Sequence, residues 1–267
     1  MATRPALTVR PNRHCCWPER KGSGLMVLKT KPTIGLTVHV DKVAMADALA
    51  GSIATTLANA IRERGEAVLA VSGGSTPEAL YKRLAKADLD WSRVCVVLVD
   101  ERWVEPGETG SNETFLRSTL MTDRAAKARM VGLKAPGETP LDGLADVTER
   151  LSDIHFPPDV VILGMGDDGH TASWFPRSDG LDAALAEAGP PVCAIRAKQT
   201  AVTGSLTDRI TLTRAALAGA GLSLLLIAGE GKKAALEAAL GDGPVADMPV
   251  RALLRSQSDR PDIHWTR

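Results

Sequence analysis

The most constraining feature of the chain is the stretch from Pro158 to Pro176, PDVVILGMGDDGHTASWFP. Asp159–Leu163 is a short apolar run rich in Val and Ile, the composition of a strand buried on both faces. The run ends at Gly164. The chain then turns through Met165-Gly166-Asp167-Asp168-Gly169, reaches His170, and is stopped by Pro176. Glycines at Gly164, Gly166 and Gly169 let the backbone take φ > 0 or pass close to a ligand. In an open parallel sheet, ligands bind just beyond the carboxyl ends of the strands. Asp168 and His170 are therefore expected at the mouth of a site, where an Asp and a His can hold and move protons.

By letter, Gly164-x-Gly166-x-x-Gly169 also fits the dinucleotide-binding fingerprint. That pattern needs a long helix opening at the third glycine, so that its N-terminus faces a pyrophosphate. Only about six residues lie between Gly169 and Pro176, and two aspartates there repel phosphate. The stretch also lies far along the chain, not in a first strand–turn–helix unit. The dinucleotide reading is set aside.

The strand–turn–helix order recurs along the chain. Asp41 caps a helical pattern in which Val43, Ala46, Leu49, Ile53, Leu57 and Ile61 form the apolar face, with Gly65 as the stop. Ala67–Val71 is a strand, followed at once by Ser72-Gly73-Gly74-Ser75-Thr76-Pro77. Thr76 reads as an N-cap and Pro77 as a first helical residue. A Gly/Ser turn feeding a helix presents N–H groups and small hydroxyls to a phosphate, although the spacing is not that of a nucleotide P-loop. Val94–Val99 is a second strand, ending in Asp100-Glu101-Arg102, where Arg102 can serve as a forked phosphate donor. Ser111-Asn112-Glu113 caps a run over Thr114–Leu120. Leu144–Ile154 and Leu181–Ala188 read as helices, Val192–Ile195 and Arg209–Thr213 as strands. Leu222–Ala228 is another buried strand, and Lys232-Lys233 open an alanine-rich helix after Gly229-Glu230-Gly231. Lysines at a helix start oppose the macrodipole, which points to an anion near Lys232. The pattern predicts an α/β fold: a single open, mostly parallel sheet flanked by helices, Rossmann-like, with site residues at strand ends.

Composition narrows the function classes. At 267 residues the chain can bury one large core. Lys+Arg and Asp+Glu balance at 32 each, so no net field points to nucleic acid. No apolar run approaches a membrane span. The four cysteines lack metal-ligand spacing, and Cys95 and Cys193 fall in strands; they read as reduced thiols of a cytoplasmic protein. No metal and no cofactor is expected. Residues 1–33 are basic, proline-containing and aperiodic. They are expected to be a disordered extension carrying Cys15-Cys16, with Met26 as a working start, ahead of one domain over residues 34–267.

Several of these segments, in this order, resemble the 6-phosphogluconolactonases: Ser72–Pro77 (SGGSTP), Val99–Val104 (VDERWV) followed by Ser111-Asn112, Gly164–Pro176, Arg209–Thr213 (RITLT) and Ala228–Lys233 (AGEGKK). The DGHTASxFP segment is the specific part; the others are shared with the wider sugar-phosphate isomerase-like fold. The resemblance implies hydrolysis of 6-phospho-D-glucono-1,5-lactone to 6-phosphogluconate in the oxidative pentose phosphate pathway, without metal or nucleotide, by a monomer or homodimer whose partner is a small sugar phosphate. It implies a phosphate held by the Ser72–Thr76 turn with Arg102, Arg209 and Lys232, His170 as general base, and Asp168 as its orienting partner. Asp100, Gly166 and Gly169 line the site in this reading. Two departures stand out. Trp174 replaces the usual Leu and is expected to narrow or stiffen the site wall, and residues 201–208 lack the prolines often found before Arg209.

Two other readings remain. Glucosamine-6-phosphate deaminase/isomerases share the fold and a DGH segment, but follow it with an Asn-Glu pair where this chain has Ser173-Trp174-Phe175. A non-catalytic sugar-phosphate sensor is the third; it has no use for the Asp168/His170 pair.

Overall fold

The computed structural model describes residues 35–267; the expectations for the basic tail, Cys15, Cys16 and Met26 lie outside them. The first strand, β1 (Leu36–His39), leads into α1 (Lys42–Arg64). Asp41 caps α1 by accepting the Ala44 N–H at 2.7 Å, and Gly65 ends it at φ 86°, both as the pattern implies. The buried face of α1 is Met45, Ala46, Leu49, Ile53, Leu57 and Ala60, whereas Val43 faces solvent. β2 (Ala67–Val71) follows and is buried along its whole length. α2 (Glu78–Leu84) begins one residue later than expected. The Tyr81 N–H bonds to the Pro77 carbonyl at 2.9 Å, so Pro77 occupies the cap position and Thr76 caps nothing.

β3 (Val94–Leu98) is again buried throughout, and β4 (Asp100–Arg102), α3 (Asn112–Thr119), β5 (Arg129–Val131) and α4 (Leu144–Leu151) follow. Ser111 caps α3, accepting the Thr114 N–H at 3.1 Å. β6 (Val160–Gly164) carries the central motif, and no helix opens at its third glycine: α5 (Leu181–Leu185) starts well beyond Pro176. The rest of the chain forms β7 (Val192–Arg196), β8 (Asp208–Leu212), α6 (Arg214–Leu217), β9 (Leu222–Ala228), α7 (Glu230–Leu240), α8 (Arg251–Leu254) and β10 (Asp262–Thr266).

Seven strands make one parallel sheet in the order β1-β10-β9-β6-β2-β3-β5. Beside it stands a second sheet, the antiparallel β4-β8-β7, which the sequence pattern did not separate from the first. From β2 the chain progresses outward through β3 and β5, while β6, β9 and β10 extend the other way. The order therefore reverses between β2 and β6, and a crevice opens above their carboxyl ends. Those ends carry the Ser72–Thr76 turn and the Met165–His170 turn.

The buried thiols of Cys95 and Cys193 are free. Burial pushes both up, Cys193 to about 12, so neither is a ready thiolate. No helix among the described residues is long and apolar enough to cross a membrane.

Candidate active site

The phosphate-like turn is fixed from below. Both the N–H and the hydroxyl of Ser72 donate to the Ile162 carbonyl of β6, at 3.1 and 3.0 Å, which ties β2 to β6 at the switch point. The Ser72 carbonyl in turn accepts the hydroxyl of Tyr81, fully buried in α2, at 2.6 Å. Gly74 adopts φ 100°, open to glycine at little cost. Gly73 lies directly against the Asn112 side chain, where a Cβ would collide with the amide. Ser75 is exposed and its carbonyl accepts Lys42 Nζ at 3.2 Å; Thr76 is buried and points no hydroxyl into a cap.

Asp100, Glu101 and Arg102 divide their work. The Glu101 carboxylate accepts the N–H groups of Arg102, Asn112 and Glu113 at 2.8, 2.7 and 2.8 Å and the Ser111 hydroxyl at 3.1 Å. It satisfies donors at the start of α3 that the helix cannot pair itself. Glu101→Ala should therefore cost about 2–3 kcal/mol of stability, lowering Tm by roughly 5–10 °C; an unchanged melting curve by circular dichroism would remove this role. Asp100 is buried, and its Oδ2 accepts the Ser173 hydroxyl at 2.6 Å, joining the DER segment to the one after His170. Asn112 Nδ2 donates to the Asp100 carbonyl at 2.9 Å. Arg102 donates through its guanidinium to the Gly110 carbonyl, while its Nε is buried without a partner.

The antiparallel register places Arg102 opposite Arg209. Arg209 is 5% exposed and is anchored by the Leu206 and Thr203 carbonyls at 2.7 and 3.3 Å, so the loop without prolines holds it through backbone oxygens. Burial brings its guanidinium down to about 10, with Asp100 and Glu101 opposing and Arg102 assisting; it remains a cation at neutral pH. Phe175 touches both sides of the site: Arg209 sits 5.3 Å from its ring and the His170 ring 4.3 Å from it.

His170 Nδ1 lies 2.6 Å from Asp168 Oδ1, and the same oxygen accepts the His170 N–H at 3.1 Å. Burial opposes ionisation of Asp168, but these two hydrogen bonds and the imidazole's charge hold its carboxyl below the ordinary range. An ionised Asp168 orders the tautomer, with the proton on Nδ1 and the lone pair on Nε2. Gly166 is required for this packing because a Cβ there would overlap the His170 ring. Gly169 takes φ 77° against Met248, and its carbonyl accepts the Val250 N–H at 2.9 Å; it shapes the turn from behind. Ala172 follows at φ 50°, an uncommon conformation for alanine next to a site.

These groups share one cavity of about 460 Å³, lined by Ser72, Gly73, Gly74, Asp100, Arg102, Gly166, His170, Arg209 and Lys232 among the expected residues. Asp168 stands behind His170 without lining it; Ser75, Thr76 and Gly169 also lie off the wall. Asn112, Asp167 and Phe175 line it and were not anticipated as site residues. Lys232 sits in the first turn of α7. Burial lowers its ammonium, Asp167 and Asp168 raise it, and a second cation, Lys42, lowers it further. The expectation for Trp174 is corrected. Its indole is fully buried and donates to the Leu212 carbonyl at 2.9 Å, so it fills the core behind the antiparallel sheet. No group of three or more metal-ligating side chains occurs among the described residues.

A crevice at the switch point of a parallel sheet, with cations along its wall and a His–Asp pair at its mouth, defines an α/β protein with a cavity suited to a small anionic molecule. The chain belongs to the glucosamine-6-phosphate isomerases/6-phosphogluconolactonase family, whose model matches residues 40–265. It is 44% identical to a 6-phosphogluconolactonase of Rhizobium meliloti (strain 1021), over 83% of this chain and 94% of the relative. It is 42% identical to one of Pseudomonas aeruginosa PAO1, over 89% and 97%. The crystal structure of a 6-phosphogluconolactonase from Shewanella baltica OS155 superposes with a TM-score of 0.83 at 37% identity, covering 89% of this chain and 99% of that one.

Proposed function

We propose that the protein hydrolyses 6-phospho-D-glucono-1,5-lactone to 6-phospho-D-gluconate, the lactonase step of the oxidative pentose phosphate pathway. The observation that carries the reading is the His170 imidazole, tied to Asp168 through Nδ1 at 2.6 Å, lining the same cavity as Arg102, Arg209 and Lys232. In this reading the phosphate rests among the cations and the Ser72–Gly74 turn. Nε2 takes a proton from a water whose oxygen attacks C1, forming a tetrahedral intermediate. As the intermediate collapses, the C1–ring oxygen bond breaks and the imidazolium returns the proton to that oxygen, which becomes the C5 hydroxyl. The new carboxyl group then ionises to solvent. Asp168 stabilises the transient imidazolium without itself taking the proton.

The deaminase/isomerase reading is less well supported. It calls for a carboxylate after the DGH segment, and here Ser173 is engaged by Asp100, Trp174 is in the core, and Phe175 is apolar. A cytoplasmic setting fits the two buried free thiols.

The test is direct. Purified protein should accelerate the loss of freshly made 6-phosphogluconolactone above its spontaneous rate, and EDTA should leave that rate unchanged. Failure to exceed the background would overturn the assignment. Inhibition by EDTA that added metal reverses would overturn the metal-free mechanism while leaving the lactonase intact.

A further inference from the structure

Ser173, Trp174 and Phe175 follow one another directly, yet they face different ways. The Ser173 hydroxyl is held by Asp100 and the Trp174 indole by the Leu212 carbonyl, and both side chains are fully buried. Of the three, Phe175 alone lines the cavity, where it is the one phenyl ring among the described lining residues. Its backbone is pinned as well. Its N–H donates to the Ser173 carbonyl at 3.1 Å, and its carbonyl accepts the Ser178 N–H and hydroxyl at 3.3 and 3.0 Å. Two functional groups rest on this fixed ring. The His170 imidazole lies 4.3 Å from it, centroid to centroid, with the planes 35° apart. The Arg209 guanidinium lies over it at 5.3 Å. Each group is otherwise held from one side. The Asp168 bond fixes His170 Nδ1 but still lets the imidazole tilt about that bond; a flat apolar surface removes the tilt and settles where Nε2 points. Arg209 is anchored to the Leu206 and Thr203 carbonyls through Nε and one terminal nitrogen, and the aromatic face supports the plane of its fork and attracts its charge.

We propose that Phe175 is a positioning residue that sets the spacing between the proton-transfer group and the anion-binding group of the site, by giving both one shared surface. The assignment rests on the lactonase reading above and deepens it. A substrate held by its phosphate among the cations has its lactone carbonyl in register with Nε2 only while imidazole and guanidinium keep their separation. A misplacement of about 1 Å is enough to cost on the order of a hundredfold in rate.

The experiment compares Phe175→Leu and Phe175→Tyr with the unaltered protein. Leucine keeps apolar bulk without the flat face, so kcat for 6-phosphogluconolactone should fall about ten- to a hundredfold, with KM changing less. Tyrosine keeps the ring and should recover most of that loss. In a His170→Ala background, Phe175→Leu should lower kcat little further, because a residue acting through His170 has nothing left to position; a residue that only packs would add its full cost. Two readouts need no turnover, so they test the placement of Phe175 even if the protein proves not to be a lactonase. Inorganic phosphate binding, measured by calorimetry, should weaken about three- to tenfold in Phe175→Leu as the guanidinium loses its aromatic support. The ring-proton resonances of His170, displaced by the ring current of Phe175, should move in Phe175→Leu and stay in Phe175→Tyr. Should circular dichroism show Phe175→Leu unfolded, Phe175→Met, unbranched and adaptable, takes its place with the same expectations. Unchanged kcat and phosphate affinity in the folded variant would overturn the proposal, as would a fully additive loss in the double variant.

Discussion

His170→Ala is expected to lower turnover of the phosphorylated lactone by about 10²–10⁴-fold, the usual contribution of a positioned acid–base group. Binding of 6-phosphogluconate should remain close to normal, because the substitution removes neither the Ser72–Gly74 turn nor the cations of the cavity. The lactone hydrolyses unaided, so the spontaneous rate has to be subtracted first. The geometry makes this a sharp test. Nδ1 is committed to Asp168 at 2.6 Å, and the ring is held against Phe175 at 4.3 Å, in space that the missing side chain of Gly166 leaves open. Near-normal turnover above background in His170→Ala would end the mechanism, even if the lactonase assignment survived.

In the proposed mechanism Asp168 acts through His170, so its test is a pattern. Asp168→Asn should lower kcat, while the double variant should be little worse than His170→Ala alone, as expected for residues working as one unit. The pH dependence follows from the signs. The Asp168 carboxyl is held below its ordinary value in the folded protein. Its contribution to stability is present above the unfolded carboxylate pKa of about 3.9 and is lost as pH falls through the lower folded value. At mildly acidic pH it is still ionised, so the stability difference between Asp168→Asn and the unaltered protein should persist there and narrow only at stronger acid.

The parts of the fold that were legible in the sequence are those in which burial on both faces leaves a continuous apolar run. β2 and β9 have the predicted bounds, β3 ends one residue earlier, and β6 is shifted by one residue at both ends. β1 and β10 escaped the reading because Leu36–His39 and Asp262–Thr266 are short and mixed. They become strands through parallel pairing with each other and with β9, a long-range condition no local window contains. β4 is harder still: Asp100-Glu101-Arg102 is wholly charged, and it is a strand because β8 pairs with it. Thr76 failed as a cap because α2 starts from the Pro77 carbonyl. For the candidate site, glycine turns at strand ends pointed to the cavity that the structure holds there. Asn112 had a signal in its place after the DER segment. The indole of Trp174 had no such signal, since sequence does not say which side of a turn faces the core.

Arg102→Ala should weaken binding of 6-phosphogluconate about tenfold to a hundredfold, the effect of losing a charge-assisted contact worth about 1.5–3 kcal/mol. The register explains why folding should suffer far less. Arg102 faces Arg209 directly across an antiparallel pair, and like charges so placed repel. The Arg102 Nε is buried without a partner, a state that costs free energy until something compensates it. Alanine removes both penalties at the expense of the Gly110 carbonyl bond, so Tm should move little. Arg102→Lys should recover charge but not the planar fork, and so only part of the affinity. Calorimetry with 6-phosphogluconate decides the matter: an unchanged affinity in Arg102→Ala would take Arg102 out of the phosphate site. The two facing guanidiniums would then need another anion, or another reason, to stand opposite each other at the edge of the cavity.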